Sequence, residues 1–343
     1  MESKIIIDIH SRVPVYKQLI KSVQDLVTEG TYVEGTFLPS MNELSKELDI
    51  SKETVKKAYS ILREKGIIES VHGKGFYVTG KPDQKINVLL LFDKLSTYKQ
   101  VLYSSFAEKI GTAAEITIRL HNQDVGLFEH FIEENLDHFD YYIITPHFPL
   151  KAEVQRRAVK SLRKIPNRKL IILDHNIEGL TGNYGLVYQD FEHDIAMGLD
   201  QASPHLKKFK RLHIMSMGSS LYAPLIKKGL ERYYTEHQVK FKIFNKINPE
   251  RIEPNTAYII LNSQLDQEVI ELVKIAKKKG YKIGEDIGII SYNESPINEI
   301  ILDGLTVFST DFKQMGKLAA TMIMDKSFKK IKCDFQLIKR KTF

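Results

Sequence analysis

From the N-terminus, apolar positions first recur every three or four residues. Val15, Leu19, Val23, Leu26 and Val27 fall on one helical face behind Pro14, which suits a first turn, and Gly30 marks the end. Ser40 with Glu43 three residues on predicts a capping box, opening a second helix that runs to about Leu48. Ser51 caps a third helix, whose Val55, Ala58, Tyr59 and Leu62 share a face and which Gly66 stops. "IIES" and "GFYVT" around the turn "VHGK" predict a hairpin. Three helices and a hairpin in this order predict an α+β winged helix-turn-helix over residues 1–80.

The polar, glycine- and proline-containing stretch around 81–85 predicts a linker, and the pattern then changes. "INVLLLF" (86–92), "AEITIRL" (114–120), "YYIITP" (141–146), "KLIILD" (169–174), "RLHIMSM" (211–217), "AYIILN" (257–262) and "DIGIISY" (286–292) are near-continuous apolar runs. Amphipathic helical stretches separate most of them. Strands buried on both faces read this way, so residues 86–343 are expected to form a parallel-sheet α/β domain.

Composition narrows the function classes. The longest apolar run is far short of the roughly 20 residues that span a bilayer, and the N-terminus lacks the apolar centre of a secretory signal; a cytoplasmic protein is expected. Cys333 is the single cysteine, which leaves no intramolecular disulfide. The net charge is +7, but residues 1–80 hold 11 basic and 11 acidic side chains. All of the excess lies outside the segment that looks DNA-binding, so placement has to carry that reading.

Each helical residue advances about 100°, which puts Lys52 and Lys56 on one stripe in the N-terminal half of the third helix. That half of a recognition helix reaches base edges. Ser51 at the N-cap can offer its hydroxyl to a phosphate, Thr54 and Lys57 flank the stripe, and the wing tip offers His72, Gly73 and Lys74.

These residues resemble the N-terminal domain of the GntR family of bacterial transcription regulators. The resemblance covers about 65 residues, with P-x-Y-x-Q at Pro14 to Gln18, L-P-S at Leu38 to Ser40, the pair Thr54–Val55, and G-x-G at Gly73 to Gly75. It implies DNA contacts at Ser51, Lys52, Glu53, Lys56, His72 and Gly73. Many members carry arginine where this chain has Asn42, Lys52 and Lys56. Lysine lacks the planar fork that grips guanine in two places, so A·T-tolerant or phosphate-led recognition is expected.

The region from Ile86 onward is similar to the effector domain of LacI-type repressors and periplasmic sugar-binding proteins, two α/β lobes around a cleft. "KLIILDHN", "VYQDFEHDIAMGL", "KKGYKIGEDIGIISYNES" and "GLTVFSTDFKQMGKLAA" carry the similarity. The same domain pairing is known in arabinose- and fucose-responsive bacterial regulators. The resemblance places lobe 1 at about 86–190 and 304–325, and lobe 2 at about 191–303 and 326–343. Ligands sit at the carboxyl ends of strands in such sheets. The candidate effector residues are therefore Phe92, Asp93, Ser96, Tyr98, Asn122, His147, Asp174, His175, Ser219, Tyr222, Asn262 and Asn293. Ile226 stands where LacI-type members often hold a ligand arginine, and Tyr292 to Glu294 replace the family's "FDD"; the acid for a sugar hydroxyl is then expected from Asp93 or Asp174. Without clustered arginine, a neutral monosaccharide is favoured over a sugar phosphate.

Catalysis is the competing class. No P-loop, G-x-S-x-G, H-E-x-x-H or dinucleotide fingerprint is present, and no cofactor or metal is expected. The main reading is a homodimeric regulator, most simply a repressor, of double-stranded operator DNA with a small carbohydrate effector. The alternative is a sugar-binding or hydrolytic α/β enzyme with an accessory helix-turn-helix.

Overall fold

The computed structural model describes residues 4–8, 11, 13–72, 74–79, 85–215, 221–237, 240–261 and 267–343. Its contacts divide the chain into two units, 1–85 and 86–343. The linker expected at 81–85 lies, except for Lys85, outside the described residues.

The first unit holds α1 (Val15–Thr28), α2 (Met41–Glu47), α3 (Lys52–Glu64), β1 (Ile68–Val71) and β2 (Gly75–Val78). Ser40 and Glu43 form the reciprocal capping box at α2, and the Ser51 hydroxyl accepts the Thr54 amide at α3. Both satisfy backbone donors that a helix start leaves open. Val55, Ala58, Tyr59 and Leu62 of α3 pack on Leu19, Val23 and Val27 of α1 and on Leu44 of α2. Gly66, at φ +64°, ends the helix in the left-handed region that glycine enters without a Cβ clash. The strands pair antiparallel, Ile68 opposite Val78 and Val71 opposite Gly75, and hold the wing.

The second unit is two parallel-rich sheets. Lobe 1 begins with β3 (Ile86–Phe92), α4 (Thr97–Ile110), β4 (Ala114–Leu120), α5 (Val125–Asn135), β5 (Tyr141–Ile144), α6 (Ala152–Leu162), β6 (Leu170–Asp174) and β7 (Gly185–Tyr188). Lobe 2 follows with α7 (Phe191–Leu206), β8 (Arg211–Met215), α8 (Ala223–His237), β9 (Phe241–Phe244), β10 (Thr256–Ile260), α9 (Gln267–Lys278), β11 (Ile287–Tyr292) and β12 (Thr306–Thr310). The chain returns to lobe 1 with α10 (Phe312–Met324) and β13 (Lys330–Lys332), then ends in lobe 2 with β14 (Phe335–Ile338).

The strand orders are β13-β7-β6-β5-β3-β4 and β14-β12-β11-β10-β8-β9, with only the β12–β14 pair antiparallel within these sheets. The apolar runs are explained by burial on both faces. Val88, Leu90 and Phe92 of β3 meet α4 and α10, while Leu89 and Leu91 meet α5 and α6. In lobe 2, α7 and α8 cover one face and α9 the other.

The lobe limits need correcting. β12 lies in the second sheet, so 304–311 belongs to lobe 2, and β13 pairs with β7, so 326–332 belongs to lobe 1. Each return adds an edge strand, β13 parallel to β7 and β14 antiparallel to β12, and short strands of three to five residues conceal this in the sequence.

Candidate functional site

Each sheet reverses its winding once, between β3 and β5 in lobe 1 and between β8 and β10 in lobe 2. Side chains at the carboxyl ends of strands flanking such a reversal have open space in front of them. In lobe 1 those ends supply Asp93 after β3, Thr145 and His147 after β5, and Asp174 at the end of β6. Helix α4 adds Tyr98 and Lys99 from its first turn.

These groups form one buried cluster. Lys99 Nζ bonds the Asp93 carboxylate and lies 3.4 Å from His147 Nδ1. His147 Nε2 lies 3.0 Å from Asp174 Oδ2, and that oxygen accepts from the Tyr98 hydroxyl at 3.2 Å. Gln189 donates to Asp174 Oδ1 and accepts from the Thr310 hydroxyl at 3.0 Å. The Asp93 amide donates to Thr145 Oγ1 at 3.3 Å. Asp93, Lys99, His147, Asp174 and Gln189 are all at most 4% exposed.

Lobe 2 closes on this cluster with Tyr222. Its ring stacks on Phe191 at 4.4 Å and meets the rings of His147 at 5.0 Å and His175 at 4.8 Å. Burial lowers the affinity of the imidazoles for protons, to about 4 for His121 and for His175, and downward for His147, where Lys99 adds to the effect. Burial also pulls the Lys99 ammonium down to about 8, against the opposing field of Asp174. For the Asp174 carboxyl, burial alone would raise the pKa, but His147, Lys99 and Gln189 outweigh it and hold the group well below the carboxylate range.

Of the effector candidates, the structure brings Asp93, Tyr98, His147, Asp174, His175 and Tyr222 together. Phe92 does not join them: it turns into the core against Tyr98 and Leu102. Asn122 is exposed in the loop after β4, with φ +50°. Ser96 is buried at the N-cap of α4. Asn293, at φ +69°, donates its backbone N–H to Phe308 O at 2.7 Å. Ser219 and Asn262 lie outside the described residues. Lys99, Gln189 and Thr310 were not foreseen. The one usable signal for Lys99 was its place three residues after the helix N-cap at a switch-point strand.

Beyond Tyr222, Pro149, Leu150, Leu221, Pro224, Ile243 and Leu261 line an open groove of about 900 Å³ between the lobes. Three chain crossings join the lobes on the other side of the cluster and are bonded to one another. Cys333 N donates to Tyr188 O and Asp311 N to Asp334 O, both at 2.8 Å, and Lys332 pairs with buried Asp194 at 2.7 Å.

In the first unit, Lys52, Glu53, Lys56, Lys57, His72 and Lys74 are exposed, and Gly73 lies outside the described residues. Ser51 and Thr54 hydroxyls are 2.8 Å apart. Lys56 faces Glu53 at 3.6 Å, and the Lys57 ammonium sits 4.0 Å over the Tyr16 ring of α1. Lys57 therefore has a structural tie within its own domain.

A winged helix-turn-helix followed by two lobes hinged around a polar switch-point cluster defines a DNA-binding regulator with a ligand-binding C-terminal domain. Residues 15–78 match the family of bacterial regulatory proteins called gntR, and residues 209–331 match the periplasmic binding protein-like domain. The HTH-type transcriptional repressor YtrA of Bacillus subtilis is 34% identical over 96 residues, 28% of this chain and 71% of YtrA. The mannosyl-D-glycerate system repressor MngR of Escherichia coli is 34% identical over 65 residues, 19% of this chain and 27% of MngR. This chain belongs to the gntR family of bacterial regulatory proteins. Its fold from the second unit is shared with a dimeric Lac repressor (TM-score 0.59, 16% identity, 75% of this chain and 98% of that one). The Escherichia coli trehalose repressor gives a TM-score of 0.58 at 10% identity, over 74% of this chain and 100% of that one. The chain thus spans most of YtrA but about a quarter of MngR.

Proposed function

We propose that this regulator is a cytoplasmic homodimeric repressor whose operator affinity changes when a small carbohydrate binds between the two lobes of residues 86–343. The observation that carries the reading is the Asp93–Lys99–His147–Asp174 cluster at a switch point, in a chain that belongs to a DNA-binding family. Carboxylates with adjoining aromatic faces suit the hydroxyls and apolar ring faces of sugars. The likeness to the Lac and trehalose repressors supports the carbohydrate class. An enzyme role has less support, because the matched relatives are regulators.

In this reading the DNA contacts come from Ser51, Lys52, Glu53, Thr54, Lys56, Lys57, His72, Gly73 and Lys74, two copies reading half-sites about one helical turn apart. Gln189 supplies the switch. Its amide nitrogen holds Asp174 and its oxygen holds Thr310 beside the second crossing, so an effector hydroxyl that competes for Asp174 loosens a hinge bond. Effector binding shifts the equilibrium only through its different affinity for the two hinge states. Operator DNA selected from a random pool, titrated by gel shift with monosaccharides, tests the proposal. Operator affinity that changes with sugar supports it; affinity indifferent to every sugar that raises the melting temperature refutes the switch.

A further inference from the structure

The charge of the switch-point cluster follows from which atoms can donate. An ammonium has only hydrogens to give, so His147 Nδ1, 3.4 Å from Lys99 Nζ, is the acceptor. The ring proton then sits on Nε2, facing Asp174 Oδ2 at 3.0 Å, and the imidazole is neutral. Lys99 contributes one positive charge, Asp93 and Asp174 one negative charge each. The cluster therefore carries one net negative charge on side chains almost wholly removed from water.

Nearby groups among the described residues do not cancel it. Burial keeps His121 and His175 neutral at pH 7, and it keeps the phenols of Tyr98, Tyr222 and Tyr292 protonated. Lys332 is committed to Asp194 and Arg340 to Glu294, at 2.7 and 2.8 Å. Lys94 acts on His147 from an exposed position, and Lys151 and Lys227 line the groove beyond Tyr222, all three in water that weakens their reach. Buried polar atoms are also left over, among them Ser96 Oγ, His121 Nδ1 and His147 Nε2. Among the described residues, Asp93 Oδ2, on a residue 1% exposed, and the Tyr222 hydroxyl, on a residue 8% exposed, have no hydrogen-bond partner. His147 touches both residues, so the vacant acceptors and the aromatic faces of Tyr222 and Phe191 belong to one site.

We propose that the effector is an aminated carbohydrate, a sugar whose protonated amine brings the missing positive charge to Asp93. The inference rests on the carbohydrate reading above and replaces the neutral sugar expected from the sequence. A neutral hydroxyl satisfies an acceptor but leaves a buried charge unbalanced, which is costly in a medium of low polarity. An ammonium does both, and the tyrosine faces attract it further. A sugar phosphate or uronate adds a second negative charge to the first.

Calorimetric titration of the full chain at pH 7 tests this with glucosamine, galactosamine and mannosamine. Each is paired with its neutral hexose, its N-acetyl derivative and the corresponding 6-phosphate. The expected result is at least one amine binding about tenfold or more tighter than its hexose and its N-acetyl form, with the phosphates weakest. Asp93→Asn should erase that preference. A hexose or N-acetyl sugar that equals or exceeds its amine overturns the inference and leaves the carbohydrate reading standing. Tight binding of a phosphate overturns the inference as well. If no sugar in the panel binds, both fall. The amine and N-acetyl comparison needs only the unaltered chain, so a poorly folding Asp93→Asn variant does not remove the test.

Discussion

Lys99 shows what a single residue hides in a sequence. Lysine is almost never fully buried unless paired, so at position 99 it reads as one more solvated helix cation. The fold instead puts it between Asp93 and His147 with no exposure. Replacing it with methionine leaves two buried carboxylates without their cation. Lys99→Met is therefore expected to cost roughly 3–5 kcal/mol, read as a lowered melting temperature of the effector domain. On the reader, Lys52 and Lys56 are exposed, Lys56 against Glu53 of its own helix, and each alanine variant should reduce the salt slope of operator binding by about 1 per half-site. Lys57→Ala should act differently. It removes the contact over Tyr16, so a loss of roughly 0.5–1 kcal/mol in domain stability is expected, with a smaller change in salt slope than for its neighbours.

The elements were legible where local chemistry and burial agree. The capped starts of α2 and α3 and the stop at Gly66 are written in side chains that act within a few residues. Strand β3 is legible because both its faces are covered, so every position from Val88 to Phe92 is apolar. Strands β7, β9, β12, β13 and β14 are not among the apolar runs named from the sequence: with three to five residues each, they are specified by the neighbours they pair with more than by their own pattern. The site shares that difficulty. Asp93, His147 and Asp174 could be named from strand ends, but Gln189 and Thr310 matter through partners 15 and 121 residues away. Gln189→Leu should keep sugar binding within a few-fold while the ratio of operator affinities with and without sugar falls toward 1; an unchanged ratio in paired gel-shift titrations would remove Gln189 from the switch. Helix α10 depends on a close approach. A Cβ on Gly316 would stand 2.3 Å from Leu102 O of α4, so Gly316→Ala is expected to cost roughly 1–3 kcal/mol and to disturb the turn that carries Tyr98 and Lys99, visible as weaker effector binding.

At the scale of the whole molecule, the two units should respond differently to acid. His121 and His175 titrate near 4 when folded, because burial disfavours their charged forms, against about 6.5 in an unfolded chain. Between those values the unfolded effector domain binds protons that the folded one does not, so its stability falls as pH drops from about 6.5 toward 4. Calorimetric scans should show the effector transition moving down across that window, with His121→Asn flattening the slope. The return of the chain to lobe 1 has a consequence for how the protein is made. Helix α10 and strand β13 complete a lobe whose first strand lies more than 200 residues earlier, so on the ribosome that lobe must wait for nearly the entire polypeptide. Residues 1–85 form a unit of their own, with its own apolar core. A chain released early, anywhere between 86 and 311, would therefore carry the winged helix-turn-helix with a lobe 1 that lacks α10 and its edge strand β13.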